Sequence, residues 1–194
     1  VPHRLDRPVS GVMVVVKNVR AAKRISEQFQ KRTVTKKYWA MVAGGLSSES
    51  GTWSDWMRKV PDEARSEIVE ETETGAKHAV LHYRVVESSG DLSLLEIELE
   101  TGRTHQIRAH MKSIGHTLFN DATYGGDKVL KGTQFSKYKS FVENCFKILP
   151  RQALHAKSLG FIHPITGEKV FFESELPNDF IELLEKWEHY VHYS

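Results

Sequence analysis

Residues 79–113, AVLHYRVVE-SSGD-LSLLEIELE-TGR-THQIRAHMKS, decide the fold. Ala79–Glu87 and Leu92–Glu100 read as two strands joined through Ser88-Ser89-Gly90-Asp91, a short turn of the hairpin type. The second strand runs almost directly into a helix over Thr104–Ser113, with Ile107, Met111 and Ile114 at i, i+4 and i+7 and Gly115 as terminator. Around this core, Gly11–Lys17 (GVMVVVK) reads as a buried β-branched strand. Asn18 is placed to cap a helix over Val19–Lys31 that turns Val19, Ala22, Ile25 and Phe29 inward. Thr33–Ala43 is a further strand, closed by Gly44-Gly45. Ser47–Gly75 is polar and acidic and reads as a loop excursion with room for one hairpin. Residues 124–150 are rich in glycine and lysine and then partly helical. Ala153–Ile162 and Lys169–Leu176 form another strand pair, turning through residues 163–167, before a last amphipathic helix from Pro177 with Phe180, Leu183, Leu184 and Trp187 inward. Hairpins with few, separated helices indicate an α+β fold: a mixed, largely antiparallel sheet with flanking helices.

The 194 residues read as one domain, residues 1–194, with no internal repeat or linker. A single cysteine, Cys145, excludes an intramolecular disulfide and any zinc site built on paired cysteines, and fits a reducing, cytoplasmic setting. No run reaches the ~18 apolar residues of a membrane helix. Net charge is only +2, but it is unevenly spread. Residues 1–38 hold ten Lys/Arg against two Asp/Glu, and residues 101–157 hold ten against three. Residues 47–100, by contrast, hold five against thirteen. If the fold joined the two basic blocks they would make a face able to grip phosphates.

Four stretches could carry chemistry. In His3-Arg4-Leu5-Asp6-Arg7, the cations on either side favour the charged form of the carboxylate, which suits nucleophilic or electrostatic work; a surface ion pair would use the same residues. In Thr101-Gly102-Arg103-Thr104-His105-Gln106-Ile107-Arg108, a strand gives way to a helix whose first N–H groups face an anion. Arg103 and His105 add donors there, and Arg108, one turn on, can reach a carboxylate as a planar fork. A capped helix with solvated side chains fits this stretch as well. Lys36-Lys37-Tyr38-Trp39 interleaves aromatics with cations, as RNA sites do, although a strand tyrosine also serves as core. Arg151-Gln152-Ala153-Leu154-His155-Ala156 heads a late strand. His105, His110 and His116 do not share one helical face, so no metal is expected.

Taken in order, these stretches, with Ile114-Gly115-His116, Asp121, Tyr124-Gly125 and His163-Pro164, resemble the RluA-type family of RNA pseudouridine synthases over almost the whole chain. The resemblance implies isomerisation of specific uridines to pseudouridine in structured RNA, ribosomal or transfer. It implies Asp6 as the catalytic aspartate, Tyr38 as the residue that stacks on uracil and is the candidate base for its carbon-5 proton, and Arg108 as the partner of Asp6. Arg4 would hold the target nucleotide out of its stack, with Arg7, Arg103, His105, Gln106 and Leu154 also contacting RNA. No cofactor is implied, nor any metal, membrane or obligate protein partner; a monomer is expected. Val9 stands where the family has threonine, and Asn120 where it has glycine. Family members carry sheet-forming sequence ahead of the His-Arg-Leu-Asp motif, and many a small RNA-binding module ahead of that, so an N-terminal portion is expected to be missing here and no separate RNA-binding module is expected within residues 1–194. A catalytically inactive RNA-binding module and a carboxylate-dependent glycoside hydrolase are the competing readings.

Overall fold

The computed structural model describes residues 2–89, 91–129 and 136–193. In chain order its elements are β1 (Ser10–Gly11), α1 (Val19–Gln30), β2 (Thr35–Ala43), β3 (Ser50–Lys59), β4 (Ser66–Val69), β5 (Lys77–Ser88), β6 (Leu92–Leu99), α2 (Gln106–Ser113), α3 (Ser136–Ile148), β7 (Leu154–Ile162), β8 (Lys169–Glu173) and α4 (Asn178–Tyr193). The β5–β6 hairpin, paired from Leu81↔Leu99 to Ser88↔Ser93 with one register shift between Val85 and Glu87, is central in an eight-stranded sheet ordered β1-β7-β2-β6-β5-β3-β4, with β8 also paired to β7. Every pairing is antiparallel except β1 with β7, so the sheet is mixed and largely antiparallel. The turn predicted at residues 88–91 includes Gly90, and the segment predicted at 124–150 includes residues 130–135; these positions lie outside the described residues.

Alternation along β2 builds two cores. Met41 faces α3 and α4, joining Leu94, Phe119, Phe180, Leu183 and Trp187. Ala40 and Val42 face α2, joining Leu95, Ile97, Ile107, Met111 and Leu154. The second core seats α2 against the sheet, and so fixes where Arg108 can point.

Four sequence expectations change. Gly11–Lys17 is not a buried strand: only Ser10–Gly11 joins the ladder, and Val15 is 64% exposed. The reason is competition for one edge. β8 already pairs with β7 from Ser158 to Ile162, leaving β1 only His155 and Ala156. Helix α1 is capped by Asn18 as read, its side chain accepting from the Ala21 N–H at 2.8 Å, and Ile25 and Phe29 face inward as read, but the inward face starts at Ala21 rather than Val19. Ala21 and Ile25 are buried and Val19 faces solvent. The excursion at 47–75 holds the one hairpin it was read to have room for, β3 with β4, but β3 runs ten residues and pairs along β5 as well, so the segment belongs to the sheet. The alternation of β3 is hidden because every position but Met57 stays exposed or half-exposed, and cross-strand contacts replace burial, among them Trp53 stacked on Tyr83 at 3.9 Å. Finally, α2 begins at Gln106 rather than Thr104, because His105 takes a left-handed conformation at φ 52°.

Candidate active site

Four segments distant in sequence converge on one pocket. The loop before β1 brings Arg4, Leu5, Asp6 and Val9; β2 brings Tyr38; α2 and the turn before it bring His105, Gln106 and Arg108; β7 brings Leu154. Gly11 permits the approach of the first segment. Its φ is +112°, and a Cβ there would stand 2.1 Å from the Ala156 carbonyl oxygen, so any side chain would push the Asp6 loop off β7.

Asp6 and Arg108 are 102 residues apart, yet Arg108 Nη1 donates to Asp6 Oδ2 at 3.0 Å. The neighbours Arg4 and Arg7 are exposed, and among the described residues the arginine bonded to Asp6 is Arg108 rather than either of them. The rest of the guanidinium is committed to Asp121, with Nε to Oδ2 and Nη2 to Oδ1 both at 2.7 Å. This fork-to-fork pair is almost wholly buried, with Asp121 1% and Arg108 5% exposed. Burial alone would lower the arginine's pKa; the bonds to Asp121 and Asp6 outweigh it and raise it. The guanidinium also lies 5.0 Å from the centre of the Tyr124 ring, a cation–π contact.

His105 completes the floor. Its Nε2 is 3.1 Å from Arg108 Nη1 and 3.5 Å from Asp6 Oδ2, and its Nδ1 is 3.2 Å from the Tyr124 hydroxyl. That hydroxyl donates to the Ser66 carbonyl and accepts from the Ser66 N–H. The network is consistent when Nδ1 of a neutral imidazole carries the proton and Nε2 accepts from Arg108. Burial, and then the Arg108 charge, lower the His105 pKa in the same direction. Burial, with a smaller contribution from Asp6, pushes the Tyr38 phenol up to about 12, so it is neutral under ordinary conditions.

The remaining sequence candidates fall elsewhere. Arg7 is exposed and outside the pocket lining. Arg103 lies in an adjoining cleft, its Nε donating to the His78 carbonyl. The Gln106 amide is taken up by the preceding turn: it accepts from Thr101 Oγ1 and the Arg103 N–H, and donates to the Val80 carbonyl. Leu154 is 5% exposed and forms part of the wall. The three histidines of the motif separate: His110 is buried 3.3 Å from Asp55, and His116 bonds to the Ala43 carbonyl.

Two residues gain roles that sequence reasoning did not give them. Asp121 is the anchor of Arg108, a pairing 13 residues apart that no helical spacing signals. His3 accepts from the Val14 N–H and stacks on Phe29 at 4.8 Å, tying the Asp6 loop to α1. Asn120, at the position of the expected glycine, has φ 56° and donates through its amide to the Phe146 and Leu149 carbonyls. Asparagine tolerates the left-handed region and also closes the end of α3.

Residues 1–113 match a protein family described as RNA pseudouridylate synthase. An uncharacterized RNA pseudouridine synthase of Chlorobaculum parvum is 40% identical over 95% of this chain and 56% of its own length. The ribosomal large subunit pseudouridine synthase D of Haemophilus influenzae is 41% identical over 94% of the chain and 54% of its own length. The chain thus spans little more than half the length of these relatives. Among solved structures, human RNA pseudouridylate synthase domain containing 4 superposes with a TM-score of 0.74 at 25% identity, covering 96% of this chain and 75% of that one.

Proposed function

Because this chain belongs to the RNA pseudouridylate synthase family, we propose that it isomerises uridine to pseudouridine in structured RNA, with Asp6 as the catalytic carboxylate. The names of its relatives favour ribosomal RNA over transfer RNA as the substrate. In this reaction the N1–C1′ bond of uridine breaks and the detached uracil turns over. A C5–C1′ bond then forms while the C5 proton leaves and N1 gains one. Atoms and electrons balance within the nucleotide, so positioned groups suffice.

The observation that carries this reading is Asp6 held at 3.0 Å by a buried arginine beneath a pocket that Tyr38 also lines. Asp6 acts at the sugar, by attack on C1′ or by assisting elimination. Arg108 and His105 fix the carboxylate's direction. The Tyr38 ring offers a stacking face to uracil, and its hydroxyl is the candidate acceptor of the C5 proton. Arg4 stands at the mouth to occupy the space of the extruded base. Arg7 and Arg103 lie outward, where RNA backbone would pass, and Gln106 serves by holding the turn that presents His105.

The test is Asp6→Asn, assayed by pseudouridine mapping of RNA incubated with the full chain and, separately, by RNA affinity. Loss of isomerisation with affinity retained supports the proposal. Retained isomerisation refutes it, and absence of activity in both proteins favours the binding-module reading. A glycoside hydrolase needs a second acid facing the sugar. Asp121, the other acid in the matching motifs, is locked behind Arg108 and 1% exposed.

A further inference from the structure

Beside the active-site pocket lies a second cleft, sharing Arg4, Tyr38 and Leu99 with it. Among the described residues its charged lining is entirely basic, Arg4, Arg32, Lys36 and Arg103, with no carboxylate. Lys36 is the unusual member. It is 8% exposed, and among the described residues no hydrogen bond or ion pair reaches its ammonium. Its neighbour Lys37, on the opposite face of β2, shows the ordinary arrangement, with Glu96 at 3.3 Å and Glu98 at 3.7 Å. Burial, and then the nearby Arg32 charge, lower the Lys36 pKa, so its surroundings work against the ammonium rather than for it. A buried cation beside like charges is costly unless an anion completes it.

We propose that this cleft is a phosphate subsite, in which Lys36, with Arg32 and Arg103, binds an RNA phosphodiester next to the target nucleotide. The shared wall argues for RNA rather than free phosphate. Lys36 and Tyr38 are two residues apart on one face of one strand, roughly 6.6 Å along it, so a nucleotide on Tyr38 brings its own backbone to Lys36. Gly102 keeps the approach open. A Cβ at that position would meet only the Lys36 Nζ, at 3.6 Å, so the absence of a side chain leaves the ammonium accessible. This inference rests on the proposed RNA substrate but not on the chemistry at Asp6.

Two variants of the full chain test it, Lys36→Met and Gly102→Ala. Wild-type protein melts at a higher temperature in inorganic phosphate than in chloride of equal ionic strength, and both variants lose that difference. With an RNA fragment, Lys36→Met weakens binding at low salt. It also makes the slope of log affinity against log salt shallower by about 0.7, so the deficit narrows about 3-fold between 50 and 200 mM salt. Without ligand, Lys36→Met melts no lower than wild type, because it removes an uncompensated charge. Phosphate stabilisation that vanishes in both variants while RNA binding and its salt slope stay at wild-type values would mean a small-anion site and overturn the RNA assignment. A lower melting temperature with unchanged RNA binding would make Lys36 structural and overturn the proposal outright. Should Lys36→Met fail to fold, Gly102→Ala decides on the same two readouts. Asp6→Asn retains both effects, so a chain that binds in this way but forms no pseudouridine would sink the proposed reaction and leave the subsite standing.

Discussion

Replacing Asp121 by asparagine keeps the shape of the side chain and removes its charge. In the native protein this carboxylate accepts two bonds of 2.7 Å from Arg108, with both partners nearly dry. The variant leaves a buried guanidinium facing an amide, one of whose two polar atoms can no longer accept a bond. Breaking a buried pair from one side costs about 3–5 kcal/mol, and Asp6, still bonded to Arg108, keeps the loss near the lower end, about 3 kcal/mol. For a chain of this size that is a fall of about 6–12 °C in melting temperature. Asp6→Asn is the internal control. Its side chain is 30% exposed and shares one bond of 3.0 Å with Arg108, so its loss costs about 1 kcal/mol. Urea unfolding followed by circular dichroism reads both, with the m-value expected to stay constant. The double variant Arg108→Met/Asp121→Leu removes both charges together and should be more stable than Asp121→Asn. Should Asp121→Asn unfold within 1 kcal/mol of wild type, or should the double variant be the least stable, the account of Arg108 as a guanidinium anchored from behind is wrong.

Tyr38→Phe keeps the stacking face and removes the hydroxyl. If that hydroxyl takes the C5 proton as phenolate, the wild-type rate climbs about tenfold per pH unit towards pH 12, since only about one in 10,000 is ionised at pH 8, and the variant shows no such climb in single-turnover assays. His110 is fully buried and its pKa is lowered, chiefly by burial. The unfolded chain therefore takes up a proton near pH 6.5 that the folded one resists, and stability falls as pH drops below about 6.5, by up to about 1.4 kcal/mol per unit. His110→Gln should flatten that part of a pH series of urea midpoints. Asn120→Gly keeps the left-handed backbone and loses two bonds to the end of α3, costing about 1 kcal/mol; Asn120→Ala adds strain at φ 56° and costs about 2 kcal/mol or more, read as melting temperatures.

What was legible in the sequence follows from range. The β5–β6 hairpin and the core face of α2 are local patterns, and Ile107 and Met111 are buried as the spacing requires. The order of strands is not local, so nothing in Gly11–Lys17 announces that β8 will take the edge of β7 it needs. Strand β3 was obscured because hydrophobic alternation signals burial, and β3 is held mainly by its ladder and by surface contacts. At the site, the residue types of the Asp6 loop and the α2 turn suggested a carboxylate and an arginine fork, and it was the family resemblance, not local charge, that paired Asp6 with Arg108. Local charge pointed to Arg4 and Arg7. The same limit hid Asp121 and His3, whose partners are fixed only by tertiary packing.

The division of Arg108 between two acids bears on the proposed reaction as well as on stability. As N1–C1′ breaks, positive character builds on the sugar, and a carboxylate aimed at C1′ stabilises it only to the extent that its charge is not already cancelled. An arginine free to turn would close on Asp6 with both arms and cancel much of that charge. Asp121 prevents this by fixing the plane of the guanidinium through Nε and Nη2, and in that orientation Asp6 meets Nη1 alone, at 3.0 Å. Neutral His105 beside them adds direction without adding a second cation. It follows that Asp121→Asn should lower the rate of isomerisation even though Asp6 is untouched and RNA still binds. Under conditions where the variant is fully folded, single-turnover rates on saturating RNA should fall at least tenfold while RNA affinity stays within about 3-fold of wild type, since Asp121 lies behind the guanidinium, where RNA would make no contact with it. A folded variant with an unchanged rate would mean that Asp6 needs no such restraint, and that the buried pair serves the fold alone.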